Sequence, residues 1–173
     1  MDPIVTSRGD NASMTALDTL ALTAGPVTLH RAAEEDLPEL AALLADDVLG
    51  REREAEDLAA YRRAFARIDA DEAHLLLAAR DARGGLLATM QLSLVPSLSR
   101  GGALRLQIEA VRVAAPARGG GLGSALMDWA HRWGRERGAA LAQLTTDATR
   151  ADAHRFYARL GYAPSHVGFK LPL

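Results

Sequence analysis

One heptapeptide in this chain has the composition of an anion cradle: Arg118-Gly119-Gly120-Gly121-Leu122-Gly123-Ser124. Glycines let the main chain turn tightly and bring bare N–H groups against a ligand. A helix starting at the same point adds partial positive charge. The arrangement suits a pyrophosphate, and a plain strand-to-helix link would need fewer glycines. Two other phosphate motifs do not fit. A P-loop needs Gly-Lys-Ser/Thr, but Ser124, Ala125 and Leu126 follow Gly123, so no lysine reaches a terminal phosphate. The dinucleotide fingerprint lacks its third glycine. The five histidines, His30, His74, His131, His154 and His166, have no metal-ligand spacing, and no metal is expected.

The elements that must position this loop can be read from periodicity. Residues 104–113 form an apolar run in which Leu104, Leu106, Ile108 and Ala110 alternate with Arg105, Gln107, Glu109 and Val111, predicting a strand before the loop. After it, Leu122, Ala125, Leu126, Trp129 and Trp133 share one face of a helix predicted from about Gly121 to Arg137, with Gly138 as its stop. Upstream, 27–30 reads as a short strand and 34–46 as an amphipathic helix. A second surface helix is predicted over 51–68. Its acidic start, Glu52, Glu54, Glu56 and Asp57, reads either as a solvated face near a helix N-terminus or as a lip attracting a cationic amine. The runs 74–80 and 86–94 flank Asp81-Ala82-Arg83-Gly84-Gly85 and should pair as a hairpin. Downstream come a strand at 141–145, a helix at 152–160 and a final extended segment at 162–171. Thr149 and Asp152 have the spacing of a capping box for that helix. The pattern predicts a mixed α/β sheet with helices on its faces.

The chain has 173 residues, 49% apolar and 24% charged, and a formal net charge of −2. These values fit one domain, assigned to 25–173, and give no general attraction to nucleic acid or to anionic membranes. With no cysteine, disulfides, thiolate metal sites and cysteine nucleophiles are excluded. No apolar run approaches the roughly 20 residues that span a bilayer, and no signal peptide is evident, so a cytoplasmic location is the default expectation. Residues 1–24 lack a sustained period and read as a flexible extension, although Leu17, Leu20 and Leu22 leave open docking on the body or on a partner subunit.

Three blocks together resemble the GNAT acetyltransferase superfamily. Arg118 to Gly123 matches its Arg/Gln-x-x-Gly-x-Gly/Ala pattern. Ile108-Glu109-Ala110-Val111-Arg112-Val113 resembles its central strand, and Ala153-His154-Arg155-Phe156-Tyr157-Ala158-Arg159-Leu160-Gly161-Tyr162 its Ala-x-x-Phe-Tyr-x-x-Leu-Gly-Phe/Tyr signature. The resemblance implies a mixed, mostly antiparallel sheet of about 6–7 strands with about four helices. It also implies an N-acetyltransferase acting on a primary amine of a small molecule or peptide by direct attack on acetyl-CoA. A non-catalytic acyl-CoA sensor and a protein N-acetyltransferase are the alternatives. Where many members have asparagine before the second block, this chain has Arg150, which reads either as a CoA-phosphate contact or as a solvated residue.

Acyl transfer sets the remaining roles. An amine of ordinary pKa near ~10.4 must lose a proton before its lone pair attacks. The resemblance implies Glu109 as base through a water, with an ammonium-binding or sheet-stabilising role as the alternative. By alternation Gln107 and Val111 share the face of Glu109, and Gln107 is a candidate for orienting substrate. The family supplies an oxyanion donor at about the Val111 N–H and holds pantetheine along Val111, Arg112 and Val113. The resemblance implies that Arg118, Gly119, Gly120, Gly121, Leu122, Gly123 and Ser124 hold the pyrophosphate. Tyr157 is the implied acid for the thiolate, and Tyr162 reads as core. His166 is a candidate substrate contact. A homodimer is common in that family, although these residues do not show one.

Overall fold

The computed structural model describes residues 16–46 and 57–172. Six strands, β1 (Ala16–Leu22), β2 (Gly25–Arg31), β3 (His74–Arg80), β4 (Leu86–Val95), β5 (Leu104–Val113) and β6 (Ala139–Leu144), form one sheet in chain order. The first five are antiparallel neighbours and β6 is parallel to β5. The hairpin β3–β4 forms as its glycine link predicts. Helices α1 (Leu37–Ala45) and α2 (Leu58–Asp69) lie between β2 and β3, the four-residue turn α3 (Ser99–Gly102) between β4 and β5. Helix α4 (Leu122–Glu136) connects β5 to β6, and α5 (Ala151–Arg159) follows β6. This is the mixed α/β architecture expected.

Alternation along the strands sorts the residues between two faces. Ala88, Met90 and Leu92 of β4 join Leu106 and Ile108 of β5 and Leu122, Leu126, Met127 and Trp133 of α4 in the main core. Apolar residues three and four apart give α4 the continuous stripe that such a face needs. Phe156, Tyr157, Leu160 and Tyr162 pack against the same core. On the opposite face, Leu37 and Leu40 of α1 meet Ala32 and Ala78, with Phe65 of α2 alongside. Helix α4 lies close to the sheet, because a Cβ at Gly134 would stand 2.8 Å from Leu106 Cδ2.

A buried ion pair fixes where α1 starts. Asp36, only 4% exposed, accepts a 2.6 Å bond from the Arg80 guanidinium and a 2.8 Å bond from Ala33 N–H. Arg80 also reaches Glu39 at 2.8 Å and the Gly84 carbonyl at 2.6 Å. Burial works to lower the Arg80 pKa, but its hydrogen bonds and charge attraction to Asp36 and Glu39 outweigh this and hold it above the ordinary value.

Four expectations need correction. Residues 16–22, assigned to a flexible extension, form β1 and bury Leu20. The exposed Leu17 stands on the outward side and Asp18 takes an inward position, so the apolar pattern of the strand is weak in the sequence. Residues 1–15 lie outside the described residues. The segment 162–171 pairs with no strand, and Val167, Phe169 and Leu171 are 80%, 94% and 82% exposed. The capping box does not form. Arg150 occupies the N-cap of α5 but its side chain does not cap the helix, Thr149 Oγ1 donates to Asp147 Oδ1, and Asp152 pairs with Arg155. Asp147 also accepts from the Thr149 N–H at 2.9 Å, so its carboxylate organises the turn. The fourth correction lies within β5.

Candidate active site

The alternation of β5 changes at Ala110. Gln91 pairs with Glu109 and Thr89 with Arg112, so Ala110 and Val111 together oppose Met90. Ala110 has φ +51°, the left-handed region that a residue with a Cβ seldom adopts. This bulge shifts the strand by one residue. Glu109 keeps to the face of Gln91, but Val111 turns to the main core together with Val113, and Arg112 stands on the other face. The expectation that Val111 shares the face of Glu109 is therefore overturned. Nothing in Ile108-Glu109-Ala110-Val111 announces a bulge, since the positive φ falls on alanine and not on glycine.

A second feature opens the strand to a partner. Pairing with β6 stops at Ile108 and Leu144, while β5 continues to Val113. Residues 109–113 thus have β4 on one side and, among the described residues, no strand on the other. Their outward main-chain groups suit pairing by an extended polar arm.

The glycine loop lies at the end of this open edge. Gly119 and Gly121 have φ +79° and +83°, positions that need glycine. The first ladder bond of α4 runs from Ala125 N–H to the Gly121 carbonyl, which leaves the N–H groups of Leu122, Gly123 and Ser124 at the head of the helix. Leu122 is buried in the core and anchors that head, while Gly119, Gly120 and Gly121 are exposed. Arg118 Nε donates to the Val113 carbonyl at 2.8 Å and its guanidinium stands 3.9 Å from Asp46. It ties the loop to the strand end. A Cβ at Gly123 would stand 3.5 Å from Phe156 Cζ and 3.9 Å from Val113 Cγ2. Three segments that are separate in sequence, the end of β5, the glycine loop and α5, therefore meet at one point.

Tyr157 lies in this region. Its ring makes edge contacts with Phe156 and Tyr162 at centroid distances of 5.2 and 5.8 Å. Burial raises its pKa above the ordinary 10.0, against the opposing charges of Arg150 and Arg112. At neutral pH the phenol holds its proton. Tyr162 is core as expected; it shares a 2.8 Å bond with His131 Nε2, and burial pushes its pKa up to about 12.

Glu109 is exposed. Gln107 Oε1 accepts from Gln143 Nε2 at 2.7 Å, so Gln107 is already engaged. His166 bonds to Ser165 Oγ on the exposed terminal segment and takes no part in the cleft described next. Of the acidic residues read either as a solvated face or as a lip, Asp57 caps α2 by accepting from Ala59 N–H at 2.8 Å; Glu52, Glu54 and Glu56 lie outside the described residues. Among the described residues no group of three or more acidic or histidine side chains could hold a metal.

The structure adds a cavity that sequence reading missed. Between α1, α2 and the sheet lies a space of about 130 Å³. Its walls are Leu37, Leu40, Ala41 and Leu44 of α1 and Tyr61, Ala64, Phe65 and Ile68 of α2. Leu76, Thr89, Gln91 and the bulged Ala110 form its floor. Glu109 is the cross-strand neighbour of Gln91, so the cavity ends beside the opened strand. The helical apolar spacing of α1 and α2 was legible, but a gap between their stripes is not a sequence property.

Comparison with known proteins bears on this arrangement. Residues 35–162 match the model of the acetyltransferase (GNAT) family. An aminoalkylphosphonate N-acetyltransferase of Salmonella typhimurium is 46% identical over 63 residues, 36% of this chain and 41% of that protein. An uncharacterised N-acetyltransferase of Bacillus subtilis is 37% identical over 60 residues, 34% of this chain and 42% of that one. The chain thus spans about two fifths of the length of these curated relatives. The crystal structure of a transcriptional regulator from Bacillus halodurans superimposes with a TM-score of 0.81 at 42% identity, over 85% of this chain and 99% of that one.

Proposed function

This chain belongs to the acetyltransferase (GNAT) family of N-acetyltransferases, which implies use of acetyl-CoA, and from that premise we propose that it acetylates a small primary amine by direct attack within a ternary complex. The observation that carries this reading is the convergence of the open edge of β5, the glycine loop and α5 around Gly123.

In this reading the N–H groups of the loop and of the head of α4 hold the pyrophosphate, with the helix dipole favouring its charge. Arg118 fixes the loop and Arg150 adds positive charge beside it. The pantetheine arm pairs with residues 111–113 along the open edge. The acceptor enters from the α1–α2 side with its nitrogen near Gln91 and Glu109. Glu109 takes the proton of the ammonium, through a water, and frees the nitrogen lone pair. That lone pair attacks the thioester carbon, forming the C–N bond and an oxyanion that the Val111 N–H stabilises. Collapse breaks the C–S bond, and the nitrogen releases its remaining extra proton to solvent. The thiolate takes the phenolic proton of Tyr157, whose raised pKa keeps it protonated until then, and the phenolate regains a proton from solvent. The products are an acetamide and CoA. The bulge supports this division, since it gives the half-strand that meets the acceptor one parity and the half-strand that meets the cofactor the other.

The name of the Bacillus halodurans structure favours a second reading, an acyl-CoA-responsive regulator without turnover. Calorimetric titration with acetyl-CoA followed by thiol release across an amine panel separates the two. Binding with release from an amine supports the transferase. Binding without release from any amine supports the regulator, and no binding overturns both.

A further inference from the structure

We propose that the acceptor carries a compact apolar body, of the size of a phenyl ring or a branched alkyl group, which seats between α1 and α2 while its amine points to Gln91 and Glu109. The inference rests on the transferase reading above and names the substrate class of the same site.

The argument begins with the size of the cavity. A space of about 130 Å³ is close to the roughly 150 Å³ in which an apolar protein cavity accepts benzene. Its walls are the inner stripes of two amphipathic helices, with Leu40, Leu44, Phe65 and Ile68 presenting hydrocarbon. Burial of an apolar body there removes hydrocarbon surface of both partners from water.

Apart from the Tyr61 hydroxyl on the α2 wall, polarity lies on the floor. The Thr89 hydroxyl is already committed, donating to the Leu77 carbonyl at 2.7 Å. Gln91 sits across the ladder from Glu109, and the bulge at Ala110 closes the floor beside them. An amphipathic amine that sets its nitrogen beside Gln91 and Glu109 keeps its apolar body between the helices. That orientation delivers the nitrogen to the opened strand.

The charges that a different acceptor would need do not line this space. Among the described residues no lysine, arginine or histidine lines it, so a phosphonate would be desolvated without a partner. Among the described residues no aspartate or glutamate lines it either, so the second ammonium of a diamine would be equally unmatched. The partial match to an aminoalkylphosphonate enzyme therefore does not carry that enzyme's acceptor into this cavity.

The test compares thiol release with 2-phenylethylamine, isoamylamine, 2-aminoethylphosphonate and putrescine at saturating acetyl-CoA. The first two should exceed the last two in kcat/KM by about tenfold or more, the discrimination that an apolar pocket provides for small groups. Ala41→Phe, which fills the cavity from α1, should lower the ratio of kcat/KM for 2-phenylethylamine over ethylamine by about tenfold. Its CoA affinity by calorimetry should stay within about twofold of wild type. Faster turnover of 2-aminoethylphosphonate or putrescine would overturn the inference and leave the transferase standing. If no amine releases thiol, the transferase reading fails, and direct calorimetry of 2-phenylethylamine with the CoA-bound wild-type protein decides the cavity. Heat of binding that is absent from Ala41→Phe would support the apolar seat; no heat from wild type would overturn it.

Discussion

Removing the Asp36 carboxylate tests whether one buried ion pair holds the wall of the acceptor cavity. In Asp36→Ala two bonds disappear together, the 2.6 Å bond from Arg80 and the 2.8 Å bond that closes the turn at Ala33. Arg80 is not orphaned, because Glu39 at 2.8 Å and the Gly84 carbonyl at 2.6 Å still accept from it. Glu39 is 56% exposed, however, and an exposed pair replaces little of what is lost. A hydrogen bond to a charged group contributes about 1.5–3 kcal/mol and a turn-capping side chain about 1 kcal/mol, so the expected loss is about 3 kcal/mol. With a urea m-value of about 2 kcal/mol/M for a chain of this size, the midpoint of unfolding should fall by about 1.5 M at unchanged m. Because α1 carries Leu37, Leu40 and Leu44 into the cavity, KM for the acceptor should rise while CoA affinity stays constant. A stability loss below about 1 kcal/mol would refute the reasoning, since nearly complete burial of Asp36 leaves no room for so small a cost.

Three further outcomes are expected. Tyr157→Phe should lower kcat by about 10²-fold or more with CoA affinity nearly intact, as loss of a general acid does. Because burial holds the phenol above its ordinary 10.0, the wild-type rate should show no loss of this proton until the pH exceeds that value, read from a pH–kcat profile. Gly121→Glu should abolish CoA binding in calorimetry, because it puts a side chain on a φ of +83° and an anion at the head of α4. His131 is expected to make stability pH-dependent. Burial and the Arg135 charge lower its pKa, against the pull of Asp128. The unfolded chain therefore binds more protons below its ordinary value near ~6.5, and stability falls as the pH drops through and below that value. His131→Gln should flatten the dependence in urea titrations at several pH values.

What the sequence disclosed follows from which signals are local. The glycines at 119, 120, 121 and 123 declare a turn and a helix head through backbone freedom, and the spacing of Leu122, Leu126, Trp129 and Trp133 declares the buried stripe of α4. The hairpin β3–β4 was equally legible from its glycine link. The features that escaped depend on partners distant in sequence. Asp36 and Arg80 are 44 residues apart, and neither shows that the other neutralises it. Gln107 was only a candidate for orienting substrate, and its bond from Gln143 of the parallel neighbour was not legible. Tyr157 and Glu109 were named from a motif, whereas the apolar cavity exists only because two amphipathic helices leave a gap over β4. Strand β1 was missed because Leu17 faces outward and Asp18 inward, so its residue types do not follow its alternation.

The bulge at Ala110 also makes one residue of β5 surplus to its ladder. Like a reading frame, the strand carries one parity up to Glu109 and the opposite parity from Val111 onward. Loss of Ala110 would join the two halves in a single frame with every partner kept, Val111 opposite Met90, Arg112 opposite Thr89 and Val113 opposite Ala88. Gain of one residue elsewhere between Leu106 and Val113 would instead need a second bulge or turn part of the strand over. Ala110 is therefore the residue whose deletion leaves the sheet in phase, and what that deletion would take away is a piece of the cavity floor.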